Sequence, residues 1–354
     1  MAKCVVVAMS GGVDSSVTAY LIKEMGYDVI GVTMEILKSS CQIEKLDTCC
    51  SLQSFVDARD VAKRLGIRHH IIDCKAEFEQ MVVSYFVKEY LAGRTPNPCI
   101  ICNSRIKFDI LLAKAKELGA DYLATGHYAR LEKQNNRYII KKGIDTTRDQ
   151  SYFLYKLSQE QLSQAMMPLG DYQKQEVRKI AVRLGLKVAN KPESQEICFI
   201  PQGDYRNFIQ QRIKDAFKPG EILDKNGNIL GRHSGIAFFT IGQRRGLGIA
   251  AGRPLYVISI DLNRNAVIVG DESDLYRNSL IAGELNWVAM ERFESEMEVV
   301  AKIRYLHPET KAIIHPVNND KVEVVFKQPV RAVTPGQSVV FYKDEVLLGG
   351  GVIE

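Results

Sequence analysis

The sequence predicts an α/β doubly wound parallel sheet, Rossmann-like in its alternation, followed by a small linking domain and a C-terminal all-β, barrel-like domain. Three observations carry this reading. Short, nearly continuous apolar runs recur at residues 3–9, 28–34 and 68–73, the pattern of strands buried on both faces of a parallel sheet. Helical patterns lie between them and end at glycine: 15–25 before Gly26, 51–65 before Gly66, and 104–118 before Gly119. From about Pro219 onward the chain changes to short alternating runs broken by Gly and Asn, with no further long helical pattern.

Taken in order, the first three strands and two helices are followed by the 104–118 helix and a fourth buried strand, Tyr122-Leu123-Ala124-Thr125, which ends at Gly126-His127. In the second half, Ile222-Leu223-Asp224-Lys225-Asn226-Gly227-Asn228-Ile229-Leu230 reads as a hairpin around an Asn-Gly turn. Residues 255–261, 266–269, 299–305, 311–315, 322–326 and 338–342 read as strands of small barrels or sandwiches. The resulting domains are 1–205, 206–275 and 276–354.

Composition narrows the class. No stretch approaches the roughly 20 apolar residues of a membrane span, and the N-terminal apolar run is too short for a secretion signal. The chain is therefore read as a cytoplasmic protein without a membrane partner, monomeric on its own. A formal net charge of +5 points weakly to an anionic partner. Eight cysteines without an export signal imply thiols used for packing, metal binding or catalysis. Cys4 and Cys74 lie in apolar runs and read as buried core thiols, and His69-His70 as surface. Cys41, Cys49 and Cys50 match no standard metal spacing, and their role stays open.

The strongest local motif is Ser10-Gly11-Gly12-Val13-Asp14-Ser15-Ser16, between the first strand and the first helix. Glycines there let backbone amides approach an anion while the helix N-terminus adds its dipole, and the serine hydroxyls are further donors. The string has neither the lysine of a Walker loop nor dinucleotide-fingerprint spacing. It resembles the PP-loop of ATP pyrophosphatases, a resemblance that implies transfer of adenylate from ATP to an oxygen of the substrate.

A second motif, Arg94-Thr95-Pro96-Asn97-Pro98-Cys99-Ile100-Ile101-Cys102-Asn103, runs from a Pro-rich loop into a helix. It holds two thiols near a helix N-terminus, with Arg105 and Lys107 one turn on, a setting that favours thiolate. A CxxC pair alone reads equally as half of a zinc site. Cys198, in Glu196-Ile197-Cys198-Phe199-Ile200, supplies a third thiol.

With Ala124-Thr125-Gly126-His127-Tyr128, Arg148-Asp149-Gln150-Ser151-Tyr152-Phe153-Leu154, Thr240-Ile241-Gly242-Gln243-Arg244-Arg245-Gly246, Val333-Thr334-Pro335-Gly336-Gln337 and Gly349-Gly350-Gly351, these strings occur in the order seen in tRNA-specific 2-thiouridylases. The resemblance spans essentially the whole chain. It implies sulfur transfer to the wobble uridine of tRNA, with ATP, magnesium and a sulfur donor protein or inorganic sulfide as further participants. By position it implies ATP binding at Ala8, Met9, Ser10, Gly11, Gly12, Val13, Asp14, Ser15, Met34 and Gly126, with Asp14 positioning nucleotide or metal. Cys102 matches the nucleophile and Cys198 the persulfide carrier. Asn97, Pro98, Cys99, His127, Arg148, Asp149, Gln150, Arg304, Tyr305 and Gln337 match positions that touch tRNA. His127 also reads as a structural histidine, and Arg304-Tyr305 as ordinary strand residues. Gln243-Arg244-Arg245-Gly246 is a phosphate contact or a solvated loop.

Cys99 is a departure, since many members carry Asp there. Three thiols at Cys99, Cys102 and Cys198 leave two routes open: a persulfide, or a [4Fe–4S] cluster with one open iron. Two other functions compete: a PP-loop amide or amidine synthetase, which gives the thiols no role, and a non-catalytic RNA-binding protein, which needs neither the loop nor Cys198.

Overall fold

The computed structural model describes residues 2–37, 52–192, 196–200, 203–213 and 217–354; Cys41, Cys49 and Cys50 lie outside them. The chain divides into two compact units: Met1–Val83, Pro98–Gly203 and Glu345–Leu347 form the first, and Ser84–Asn97, Asp204–Asp344 and Leu348–Glu354 the second. Among the described residues no helix is long and apolar enough to cross a membrane.

In the first unit, β1 (Cys4–Ala8), α1 (Val13–Glu24), β2 (Asp28–Glu35), α2 (Leu52–Leu65) and β3 (Arg68–Asp73) reproduce the predicted alternation. β4 (Tyr122–Ala124) follows, then the hairpin β5 (Ala129–Gln134) and β6 (Arg137–Lys142), and the two-residue β7 (Ala165–Met166). The parallel sheet has the order β3-β2-β1-β4-β7. β1 is central, which is why Val5, Val6 and Val7 are fully buried. α1, α2 and the Lys174–Arg183 helix pack around it through Val17, Ile22, Ala58, Val61, Val177 and Ala181.

Three expectations need correction. β3 is an edge strand, and its residues are mostly exposed rather than buried on both faces. Cys4 is half-buried, whereas Cys74 is fully buried and its thiol is pushed up to about 11 by burial. The 104–118 helix begins earlier: Pro98–Ile101 is helical, Cys102–Leu111 continues in wider π-type turns, and Leu112–Glu117 closes it. Proline at the first helical position costs no hydrogen bond, because that N–H would be unpaired anyway.

The second unit is β-rich, with short helices at Ser84–Leu91 and Tyr205–Arg212. The predicted hairpin is β8 (Gly220–Leu223) and β9 (Ile229–His233), turning at Gly227 with φ +85°. With β10 (Tyr256–Asp261) and β11 (Ala266–Gly270) it forms a four-stranded sheet of order β10-β11-β8-β9, packed on Phe238 and Phe239. Then come β12 (Tyr276–Trp287), β13 (Met297–Lys302), β14 (Thr310–Asn318), β15 (Lys321–Arg331), β16 (Ser338–Lys343) and β17 (Val346–Ile353). They run β12-β15-β14-β13-β16-β17, and β12 pairs back on β17 to close a barrel. Ala282, Ala312, Ile314, Val322, Val324 and Val339 fill it. At the closing seam, a Cβ on Gly349 would strike the backbone of Asn286, and one on Gly351 would lie 2.7 Å from the Gly283 oxygen. The glycines thus permit the backbone approach that closure needs.

Candidate active site

The Ser10–Ser16 stretch forms a turn at the C-terminal edge of the parallel sheet, in the first unit. Thr33 Oγ1 donates to the Met9 carbonyl at 2.8 Å, and the Met9 N–H donates to Val32 O at 2.7 Å, fixing the end of β1. Gly11 follows with φ +68°, and a side chain there would run into the backbone of Ser54. Gly12 is extended (φ −100°, ψ 167°) and caps α1 without a side chain. The first i→i−4 bond of the helix runs from Ser16 N to Gly12 O at 3.3 Å. The amides of Val13, Asp14 and Ser15 belong to the helix's opening turn, whose N–H groups have no intrahelical acceptor, the arrangement that receives anions. The serines differ from expectation: the Ser15 and Ser16 hydroxyls donate to Gly12 O at 3.2 and 2.7 Å, so they shape the loop.

Asp14 is anchored from two sides. Lys174 Nζ lies 2.9 Å from its Oδ1 and 2.7 Å from its Oδ2, and the Tyr128 hydroxyl donates to Oδ1 at 2.7 Å. Gly126 faces the same turn: a Cβ there would sit 3.1 Å from the Asp14 carbonyl carbon and the Ser15 nitrogen. Lys191 Nζ donates to Gly11 O at 3.2 Å and pairs with Asp57 at 2.7 Å. Ala8 and Met34 are half-buried on β1 and β2.

The three motif thiols belong to this unit. Cys99 is exposed on the Pro98–Ile101 turn, Cys102 is half-buried at the start of the π-type segment, and Cys198 is half-buried. Phe199, set edge-on against Phe78 at 5.6 Å, anchors the Cys198 strip. Arg105 sits 3.9 Å from Asp109. Among the described residues no group of three or more His, Cys, Asp or Glu side chains is placed to hold a metal ion. The three thiols therefore do not assemble a cluster site in this conformation, and the iron–sulfur expectation has no support from their arrangement.

His127 is buried beneath Phe108, with Nδ1 2.8 Å from Thr125 Oγ1, and burial holds it well below the usual histidine range. Asp149 is buried and accepts from the Gly143 and Ser151 amides, both at 3.1 Å, and from the Ser151 hydroxyl at 2.9 Å. Gln150 Oε1 accepts from Tyr128 N at 3.1 Å, while Arg148 is half-buried. In the second unit, Gln337 Nε2 donates to Thr95 O at 2.9 Å and Pro96 O at 3.2 Å, tying the loop that carries Asn97. Arg304 and Tyr305 are half-buried beside Leu306, which is 87 % exposed. Arg244 and Arg245 are exposed.

His69, His233 and His307 share the downward shift of His127, chiefly through burial. All four therefore take up protons less readily in the folded chain than in the unfolded chain, where histidine titrates at about 6.5. Stability is accordingly expected to fall as pH drops from about 7 to 5. Denaturant midpoints across that range check this, and a flat profile contradicts it.

Three family models match in series. They are described as a tRNA methyl transferase HUP domain over residues 3–202, a tRNA methyl transferase PRC-barrel domain over 206–271, and an aminomethyltransferase beta-barrel domain over 277–353. The chain is 53 % identical over 354 residues to the tRNA-specific 2-thiouridylase MnmA 2 of Thermoanaerobacter sp. (strain X514), covering 99 % of this chain and 97 % of that protein. Similarity to the MnmA 1 protein of Clostridium botulinum (strain Loch Maree / Type A3) is 53 % over 100 % of both chains, and to MnmA of Halothermothrix orenii (strain H 168 / OCM 544 / DSM 9562) 54 % over 99 % and 98 %.

The chain belongs to the tRNA-specific 2-thiouridylase family. The resemblance read from the ordered motifs is thereby confirmed, and so is the succession of a parallel-sheet domain, a small β-rich domain and a closed β-barrel. Against that 2-thiouridylase background, two groups at the loop escaped the sequence reading. Lys174 lies 160 residues from Asp14, and Tyr128 is 114 residues away, so no local spacing joins them. Asn103, beside Cys102, was read only as part of a motif. Its Nδ2 donates to Phe153 O at 3.3 Å while its buried Oδ1 has no hydrogen-bond partner among the described residues.

Proposed function

We propose that this chain performs ATP-dependent 2-thiolation of a tRNA uridine. The observation that carries the proposal is the Gly11-Gly12 turn at the head of α1, an amide cradle for phosphate, in a chain that matches 2-thiouridylases from end to end. ATP, entering with magnesium, binds at Ala8 to Ser15, Met34 and Gly126. The uridine O2 attacks the α-phosphorus, pyrophosphate leaves, and the oxygen becomes part of an AMP leaving group. A persulfide on Cys198, charged by a sulfur donor protein, then attacks C2 through its terminal sulfur and AMP departs. The Cys102 thiolate takes up Cys198 Sγ as the S–S bond to the transferred sulfur breaks. This leaves thiouridine and a Cys102–Cys198 disulfide, which an external thiol reductant returns to two thiols. The persulfide route is preferred to the cluster route because it needs two thiols in sequence rather than three held at once around one centre.

The tRNA-contact set is proposed with a division of labour. Cys99, Asn97 and Pro98 flank the target base, Arg148 and the Arg304-Tyr305 strip take the backbone, and Gln337 braces Asn97's loop. The buried His127 and Asp149 and the half-buried Gln150 act on RNA by holding the shape of the neighbouring chain. An amide synthetase would use the same loop but leave Cys102 and Cys198 idle.

Stoichiometry tests the proposal. One AMP and one pyrophosphate are expected per thiouridine formed, and release of ADP in place of AMP would reject adenylation. Affinity for tRNA is expected to fall linearly on a log–log plot with salt, as phosphate neutralisation releases counterions. Filter binding over a salt series checks it, and a flat response contradicts backbone recognition.

A further inference from the structure

Lys174 is a local misfit that the fold maintains. It is the first residue of its helix, where a cation faces the positive end of the macrodipole and acids are favoured. Glu176, in the same turn, satisfies the ordinary rule by accepting from Gln173 N at 2.8 Å. Lys174 is nevertheless only 7 % exposed, and its own N–H is fixed by Asp145 Oδ2 at 3.0 Å. Burying a long cation beside a helix N-terminus is unfavourable unless a specific anion compensates it.

Asp14 is that anion. Both its carboxylate oxygens lie within 2.9 Å of Lys174 Nζ, Tyr128 braces Oδ1, and the ammonium stands 5.6 Å from the Tyr128 ring centre. Yet Asp14 occupies the opening turn of α1, the turn whose amides are aimed at phosphate. An acid there favours the helix but repels a triphosphate unless a cation, from the protein or entering with the nucleotide, offsets it; Lys174 is the cation that the protein itself supplies. Gly126, whose missing side chain leaves room beside Asp14, keeps that neighbourhood open. Lys191, by contrast, is paired with Gly11 O and Asp57 rather than with Asp14, so it does not offset the Asp14 charge.

We propose that Lys174 is a nucleotide-binding residue of this loop, its ammonium held by Asp14 and Tyr128 at the mouth of the amide cradle, where it takes up charge of the triphosphate. This deepens the ATP reading and rests on it.

The test is calorimetric titration of the full chain with a non-hydrolysable ATP analogue, alongside thermal unfolding and tRNA binding. Lys174→Met is expected to weaken analogue binding by about tenfold to a hundredfold, the loss of one charge-assisted contact. Lys174→Arg is expected to retain most of the affinity, and tRNA binding to stay unchanged in both. The double variant Asp14→Asn/Lys174→Met is expected to remain weak, because the cation is still missing. Recovery in the double variant would show that Lys174 only neutralises Asp14 and would overturn the proposal. Analogue binding by Lys174→Met equal to wild type would overturn it as well, with the ATP reading intact. A wild-type chain that binds no analogue would overturn the ATP reading and the proposal together. Lys174→Gln serves where Lys174→Met does not fold, with the same reading of its result.

Discussion

Cys198→Ser is expected to lower thiolation on the order of a thousandfold or more while leaving pyrophosphate release measurable. A serine hydroxyl carries no sulfane sulfur, so the step after adenylation has no sulfur to transfer, whereas the loop that binds ATP is untouched. Cys102→Ser is expected to reduce thiolation comparably but to stop one stage later, with sulfur still loaded on Cys198 and no thiolate to release it. Mass spectrometry of peptides containing Cys198, after exposure to the sulfur donor, separates the two. With the donor alone, the Cys198 persulfide forms in Cys102→Ser and is missing in Cys198→Ser; with ATP and tRNA added, Cys102→Ser is expected to hold Cys198 as a disulfide to the sulfur on the uridine. If Cys102→Ser turns over at the wild-type rate, the two-thiol account fails. Cys99→Ser is expected to retain most activity on the persulfide route, which also distinguishes it from any mechanism that needs three thiols together.

The second large effect is expected from Gly12→Ala. At this position φ is −100°, and among the described residues the one atom near a new Cβ is Ser10 Oγ at 3.4 Å. The fold therefore tolerates alanine, and the thermal midpoint is expected to move little. A phosphate approaching the amides of α1 meets that methyl group directly, and displacement by about 1 Å is enough to cost on the order of 10²-fold in AMP release. Gly11→Ala is the contrasting case. Its left-handed backbone costs a β-carbon about 1–2 kcal/mol, and the methyl collides with Ser54, so stability and activity are expected to fall together. A Gly12→Ala chain with normal AMP release would mean that the loop is only a tight turn.

The contrast between these glycines marks what the sequence could show. β1, α1, β2 and α2 were legible because apolar runs and terminal glycines are local signals. β7 was not, since two residues have no periodicity, and β12 was hidden because its first four residues are exposed. The loop could be named from Ser10 to Ser16, but the direction of its hydroxyls could not: Ser15 and Ser16 turn inward to Gly12 O. The contacts of Lys174 and Tyr128 with Asp14 were invisible for a different reason, because only the fold joins residues more than a hundred positions apart. His127 and Asp149 show the opposite limit. Both were expected, from the family resemblance, to touch tRNA; here both are buried, with His127 Nδ1 against Thr125 Oγ1 and the Asp149 carboxylate held by the Gly143 and Ser151 groups.

The most direct test of the central claim is nucleoside analysis of tRNA after incubation with the chain, ATP and a persulfide-generating donor. The expected product is a uridine in which one oxygen is replaced by sulfur, formed only with ATP and lost in Cys198→Ser. A uridine that gains a methyl group, or sulfur incorporation that proceeds without ATP, would contradict it.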